Sequence, residues 1–208
     1  RLYTKITQCS IEPSRKIQSS IKREKMIGHV GQMGGEYPLS PSQRESISCF
    51  QEIEGGEVLA VNGPPGTGKT TLLQSIVANM YVEKALKREK APIIVATSTN
   101  NQAVTNIIES FGKINPIGIN NLEKRWVTGV HSFAVYFPSK GKEAEAKRNN
   151  YQYTNVAGEA FVEEVESEDN RKNSQQVFDE AFIEYFGYKC NSFSEAVERI
   201  HAELLRVD

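Results

Sequence analysis

Glu57-Val58-Leu59-Ala60-Val61-Asn62 followed by Gly63-Pro64-Pro65-Gly66-Thr67-Gly68-Lys69-Thr70 is the stretch that decides how this chain is read. The first six residues are an apolar run of strand length. The next eight match GxxxxGK[ST]. Beyond them Leu72, Leu73, Ile76, Val77 and Met80 recur at spacings of three and four, which marks one face of a helix. A strand, a glycine-rich turn and a helix in that order make a phosphate loop, and each part has its own task. Glycines let backbone amides turn inward as a nest of N–H donors. A helix opening near Gly68 adds its positive dipole end. Lys69 brings a cation to the β- and γ-phosphates, and Thr70 offers a hydroxyl to Mg²⁺, a hard ion that prefers oxygen. Gly63, Pro64, Pro65, Gly66, Thr67, Gly68, Lys69, Thr70 and the adjoining Thr71 are therefore the candidate residues for holding a nucleoside triphosphate. Lys69 and Thr70 are the two expected to serve its chemistry.

Working outward, the pattern alternates. Upstream, Ser42 is a fair N-cap for a helix carrying Ile47, Phe50 and Ile53, with Gly55-Gly56 as its stop. Downstream, Pro92 to Thr97 reads as a second buried strand, and Gln102 to Phe111 as a helix with Val104, Ile107, Ile108 and Phe111 on one face. Arg125 to Val130 is a third strand candidate. Strand, helix, strand, helix, strand implies right-handed crossovers and a parallel sheet, so the expected class is α/β. From Ser139 the character changes to charged, mainly helical sequence. Lys140–Asn150 reads as an exposed helix, Ser174–Phe186 as an amphipathic one with Phe178, Phe182 and Tyr185 aligned. Ser194–Val207 reads as another, capped by Ser194. The expected division is a segment or linker over 1–36, where four glycines between Gly28 and Gly35 mark a boundary, a nucleotide-binding domain over 37–138, and a helical insertion over 139–208.

Composition bounds the partners. The chain has 208 residues and a net charge of -1, so its bulk balance draws no polyanion. Residues 1–36 carry seven Lys/Arg against three acids, residues 37–138 nine against eight, and residues 139–208 nine against fifteen. A nucleic-acid groove would have to be local. Cys9, Cys49 and Cys190 lie far apart without metal-site spacing, which favours reduced thiols and a cytoplasmic, intracellular setting. No apolar run approaches the ~20 residues of a membrane span, and no signal peptide is recognised. A start at Arg1 rather than Met leads us to expect a piece of a longer protein.

Gly-Pro-Pro-Gly-Thr-Gly-Lys-Thr in this context resembles motif I of superfamily 1 helicases, in the branch that includes RNA-surveillance and replication-associated helicases. Leu39-Ser40-Pro41-Ser42-Gln43 lies about twenty residues upstream of the loop, where that family carries its glutamine motif. The Gln43 amide both donates and accepts, so it can pair with the adenine edge and favour ATP over GTP. Asn100-Asn101-Gln102-Ala103-Val104-Thr105-Asn106-Ile107 is similar to the family's motif Ia, which touches the backbone of single-stranded nucleic acid. Thr99, Asn100 and Thr105 stand where the family more often has Pro, Ser and Asp. Thr128-Gly129-Val130-His131-Ser132 occupies the place of the next nucleic-acid motif, with Thr128 and His131 as its candidate contacts.

The resemblance spans roughly residues 37–133. It implies a partial RecA-like ATP-binding domain with a parallel sheet and a mainly helical appendage, ATP and Mg²⁺ as ligands, and single-stranded DNA or RNA as partner. It also implies a second RecA-like domain, expected beyond residue 208, that supplies arginine to the hydrolytic site. Hydrolysis further needs an Asp-Glu pair at the end of an apolar strand. Asp179-Glu180-Ala181 imitates that signature, but the Phe spacing around it is helical, so the pair reads as a solvated helix face. On this basis the whole protein is expected to be an ATP-dependent helicase and the chain alone to turn over poorly. Two other readings stay open: a different phosphate-loop enzyme, of AAA or nucleotide-kinase type, and a non-hydrolysing nucleotide-binding scaffold.

Overall fold

Capping explains where the first helix begins. In the computed structural model, which describes residues 28–33, 38–112, 129–130 and 132–207, helix α1 spans Pro41–Gln51. Its cap is Ser40, not Ser42. The Ser40 hydroxyl accepts the Gln43 N–H at 3.3 Å, and the Ser40 N–H donates to Gln43 Oε1 at 2.8 Å. This reciprocal box, with proline at the first helical position where no N–H is missed, outbids the hydroxyl two residues later.

The remaining helices are α2 Lys69–Leu86, α3 Asn101–Gly112, α4 Glu143–Arg148, α5 Phe161–Glu166, α6 Glu168–Phe186 and α7 Phe193–Val207. The chain falls into two units that divide between Ile93 and Ile94.

In the first unit α1 packs on α2. Ile47 and Leu72 bury against Leu39, with Ile76 alongside. The far half of α2 buries a polar residue, Asn79, only 3 % exposed. Its Oδ1 accepts the N–H of Val30 at 2.7 Å and of Gly31 at 3.2 Å, so the buried amide oxygen is satisfied by two backbone donors. Gly31 lies so close to α2 that a Cβ there would sit 2.5 Å from the Ala78 carbonyl oxygen. The Gln51 side chain donates to the Gly28 carbonyl, tying the same segment to α1.

In the second unit α3 and α4 meet over Ile108, Tyr136 and Ala146, with Val104, Ala134, Tyr151 and Tyr153 packed against them. Tyr136 and Thr154 extend the contact through backbone bonds, Tyr136 N–H to Gln152 O at 2.8 Å and Thr154 N–H to Tyr136 O at 3.0 Å. Helix α6 starts at a second serine cap, Ser167, whose hydroxyl accepts Asn170 N–H, and stops at Gly187 in the left-handed region. Phe178 and Phe182 face inward as their spacing predicts, Phe178 meeting Phe193 at 5.2 Å between ring centroids. The third aromatic does not. Tyr185 is 64 % exposed, and Phe186 stacks on Phe182 at 4.4 Å in its place. Spacings of 3.6 per turn let either neighbour finish the stripe, and the apolar ring wins over the hydroxylated one. Helix α7 is capped by Ser192, whose hydroxyl accepts Glu195 N–H at 3.2 Å, rather than by Ser194.

The expected α/β class with a parallel sheet is overturned. Among the described residues there is no strand; the β contacts are isolated bridges, Tyr136 with Tyr153 and Thr154 with Ala160. Neither 57–62 nor 92–97 joins a ladder, and both are well exposed: Val58 is 64 % and Ile93 93 % accessible. Residues 125–128 of the third candidate lie outside the described residues, and Gly129-Val130 is turn and irregular chain. The physical reason is that an apolar run signals a segment able to bury its faces, but a strand exists only when neighbours accept its N–H and C=O groups. The described architecture is helical.

Candidate phosphate-loop site

Gly66 and Gly68 both take positive φ, 82° and 76°, which side chains resist and glycine adopts freely. The second of these ends the loop as the N-cap of α2. Its carbonyl accepts the Leu72 N–H at 3.0 Å, the first bond of that 18-residue helix. Thr67 closes the loop on itself: its N–H and hydroxyl both point to the Pro64 carbonyl, the hydroxyl at 2.8 Å. Lys69 folds over the same turn, its Nζ donating to the carbonyls of Gly63 at 2.6 Å and Pro64 at 2.8 Å. Pro64, Pro65, Thr67, Lys69 and Thr70 are all solvent-exposed, while Gly63 and Thr71 are half-buried. A backbone turn with two left-handed glycines, a helix N-terminus and an exposed lysine thus share one place, with Thr70 one residue into the helix. That set suits a polyphosphate with a hard cation.

Gln43 reaches this loop from α1. Its Nε2 donates to the Gly68 carbonyl at 3.0 Å and lies 3.4 Å from that of Thr67. The capping box places the same side chain at the helix start and at the loop.

The remaining sequence candidates are placed in part. Asn100 is exposed and caps α3: its Oδ1 accepts the Gln102 N–H at 2.9 Å, and its own N–H donates to the Ser98 hydroxyl at 3.1 Å. Asn101 opens α3, but its side chain lies outside the described residues, as do Thr128 and His131. Asp179 and Glu180 sit mid-way along α6, with Glu180 accepting from Gln176 Nε2 at 3.0 Å on an exposed face. No cluster of His, Cys, Asp and Glu suited to a metal occurs among the described residues. No helix among them is long and apolar enough to cross a membrane. Sequence reading missed the grip of Asn79 on Val30 and Gly31. Its only sequence signal is a polar residue at a position where the helix period calls for an apolar one.

The model of a family described as an AAA domain matches residues 38–192, which covers the loop, Gln43 and α3 to α6. This chain belongs to that AAA-domain family. It is a helicase-like phosphate-loop protein. Among curated proteins, the DNA-binding protein SMUBP-2 of Mesocricetus auratus is 38 % identical over 71 residues, 34 % of this chain and 6 % of that protein. Its counterpart from Rattus norvegicus is 37 % identical over 71 residues, with the same shares. The chain therefore spans a small part of the relatives it matches. No solved structure matches it.

Proposed function

We propose that this chain carries the ATP–Mg²⁺ cradle of an ATP-dependent helicase motor that moves on single-stranded nucleic acid. The observation that carries the proposal is the loop: two left-handed glycines deliver the chain into α2 with the Lys69 ammonium folded against the turn. In this reading the backbone from Gly63 to Gly68 and the start of α2 hold the phosphates, Lys69 neutralises them, and Thr70 holds the cation with Thr71 beside it. Bound Mg²⁺ supplies charge neutralisation at the phosphate oxygens. Gln43, whose amide both donates and accepts, is the residue for the adenine edge and for the preference for ATP over GTP.

Asn100 and Asn101 at the start of α3, with Thr128 and His131, contact the nucleic-acid backbone, a role that small polar groups at a helix N-terminus suit. A DNA-binding name on the matched relatives supports a nucleic-acid partner. Those relatives are much longer, which leaves room for a second motor domain that completes hydrolysis with its arginine.

Calorimetric titration of the chain with MgATP tests the cradle. The wild type binds, and Lys69→Ala removes the heat of binding while circular dichroism stays unchanged. Equal affinity in both proteins sinks the assignment.

A further inference from the structure

Both ends of the Gln43 amide are committed inside the protein. Oε1 accepts the Ser40 N–H at 2.8 Å, and Nε2 donates to the carbonyl of Gly68 at 3.0 Å, with that of Thr67 at 3.4 Å. The capping box decides which way the amide faces. Turned over, it would set its oxygen against two carbonyls and its NH₂ against an N–H, losing every bond. The approach to the loop is also close: a Cβ on residue 68 would lie 2.5 Å from Nε2, so the contact needs glycine there.

A trans peptide is planar, with its N–H directed opposite to its C=O. The Thr67 carbonyl shares a peptide with the Gly68 N–H, and the Gly68 carbonyl shares one with the Lys69 N–H. The Gly68 carbonyl is held by the Leu72 N–H at 3.0 Å as well; Gln43 adds a second hold on it and one on the Thr67 carbonyl, so that both N–H groups face away from Gln43. Those are donors that a phosphate cradle uses at a helix start.

We infer that Gln43 is a positioning residue for the phosphate cradle, aiming the N–H groups of Gly68 and Lys69, in addition to any contact with a base. This rests on the reading of residues 63–70 as a phosphate site. It makes a claim the base-reading role does not: Gln43 matters for a ligand that has no base.

The test uses Mg²⁺–tripolyphosphate beside MgATP, titrated calorimetrically into the full chain. Gln43→Ala weakens tripolyphosphate about 5–10-fold, the size of a lost hydrogen bond or two, and weakens ATP at least as much. Gln43→Glu keeps the acceptor for Ser40 but turns a carboxylate onto the loop carbonyls. Its tripolyphosphate affinity falls further at neutral pH. Acidification through the carboxylate range restores an O–H donor, so the ratio to wild type at the same pH climbs back. A variant that had merely lost its fold would show no such recovery. Unchanged tripolyphosphate binding in Gln43→Ala, or a flat pH ratio in Gln43→Glu, overturns the inference while leaving the cradle intact. Failure of the wild type to bind either ligand overturns both.

Discussion

Replacing Gly68 with alanine strains the loop in two separable ways. The residue sits at φ 76°, where an L side chain costs about 1–2 kcal/mol. The new Cβ would also stand 2.5 Å from Gln43 Nε2. That atom ends a flexible side chain, so it moves aside instead of deforming the backbone, and the move gives up its bonds to the loop carbonyls at a cost of about 1 kcal/mol. Gly68→Ala should therefore destabilise the protein by about 2–3 kcal/mol. The second contribution depends on Gln43 and the first does not. In a Gln43→Ala background the alanine has nothing to displace, and its cost should drop to about 1–2 kcal/mol. Urea unfolding followed by far-UV circular dichroism on the wild type, both single variants and the double variant gives the coupling directly. A coupling near 1 kcal/mol is expected. Additivity within about 0.3 kcal/mol would refute the contact between Gln43 and the loop, because two substitutions that share no bond cannot know of each other.

Asn79→Ala strips the acceptor from the Val30 and Gly31 N–H groups and should cost about 1–3 kcal/mol, with faster hydrogen exchange at those two amides and little change in the loop. His29 is held below the usual histidine range by burial, with the Arg44 charge acting the same way against a bond to the Gly31 backbone. Its Nε2 is buried without a hydrogen-bond partner among the described residues. Since the folded state binds the proton less tightly than the unfolded chain, the stabilisation is complete above about pH 6.5 and is lost as the pH falls through the folded value. His29→Phe should flatten that acid limb of the melting temperature; an identical limb in the variant would assign it to other groups. Asp179→Asn and Glu180→Gln should leave MgATP affinity where it was, since both lie within α6; a fall of tenfold in either would show that the pair serves the nucleotide.

What could be read from residues alone is what near neighbours decide. The loop needs glycine where the backbone turns left-handed and a helix where the nest ends, and both demands are met within eight residues. The Gly-Thr-Gly-Lys spacing asks for left-handed glycines running into a helix, and Gly66, Gly68 and α2 take those conformations. Helix α6 was legible because Phe178 and Phe182 lie one turn apart. Its start was not, since Ser167, Glu168 and Asp169 form a cap well upstream of the apolar stripe.

Tertiary structure alone decided the rest. The apolar runs 57–62 and 92–97 carry the composition of buried strands, yet remain outside any ladder, because pairing is a property of two segments and composition describes one. Gln43 displays an amide in the sequence, but its hold on a carbonyl 25 residues away depends on α1 packing against α2 through Ile47 and Leu72. The glycines near residue 30 read as a flexible join, while one of them is the close approach that lets Asn79 take two backbone donors. Caps and turns draw their energy from atoms within four residues and so are written locally. Contacts across a fold exist only once burial of the helix faces has brought distant chain together.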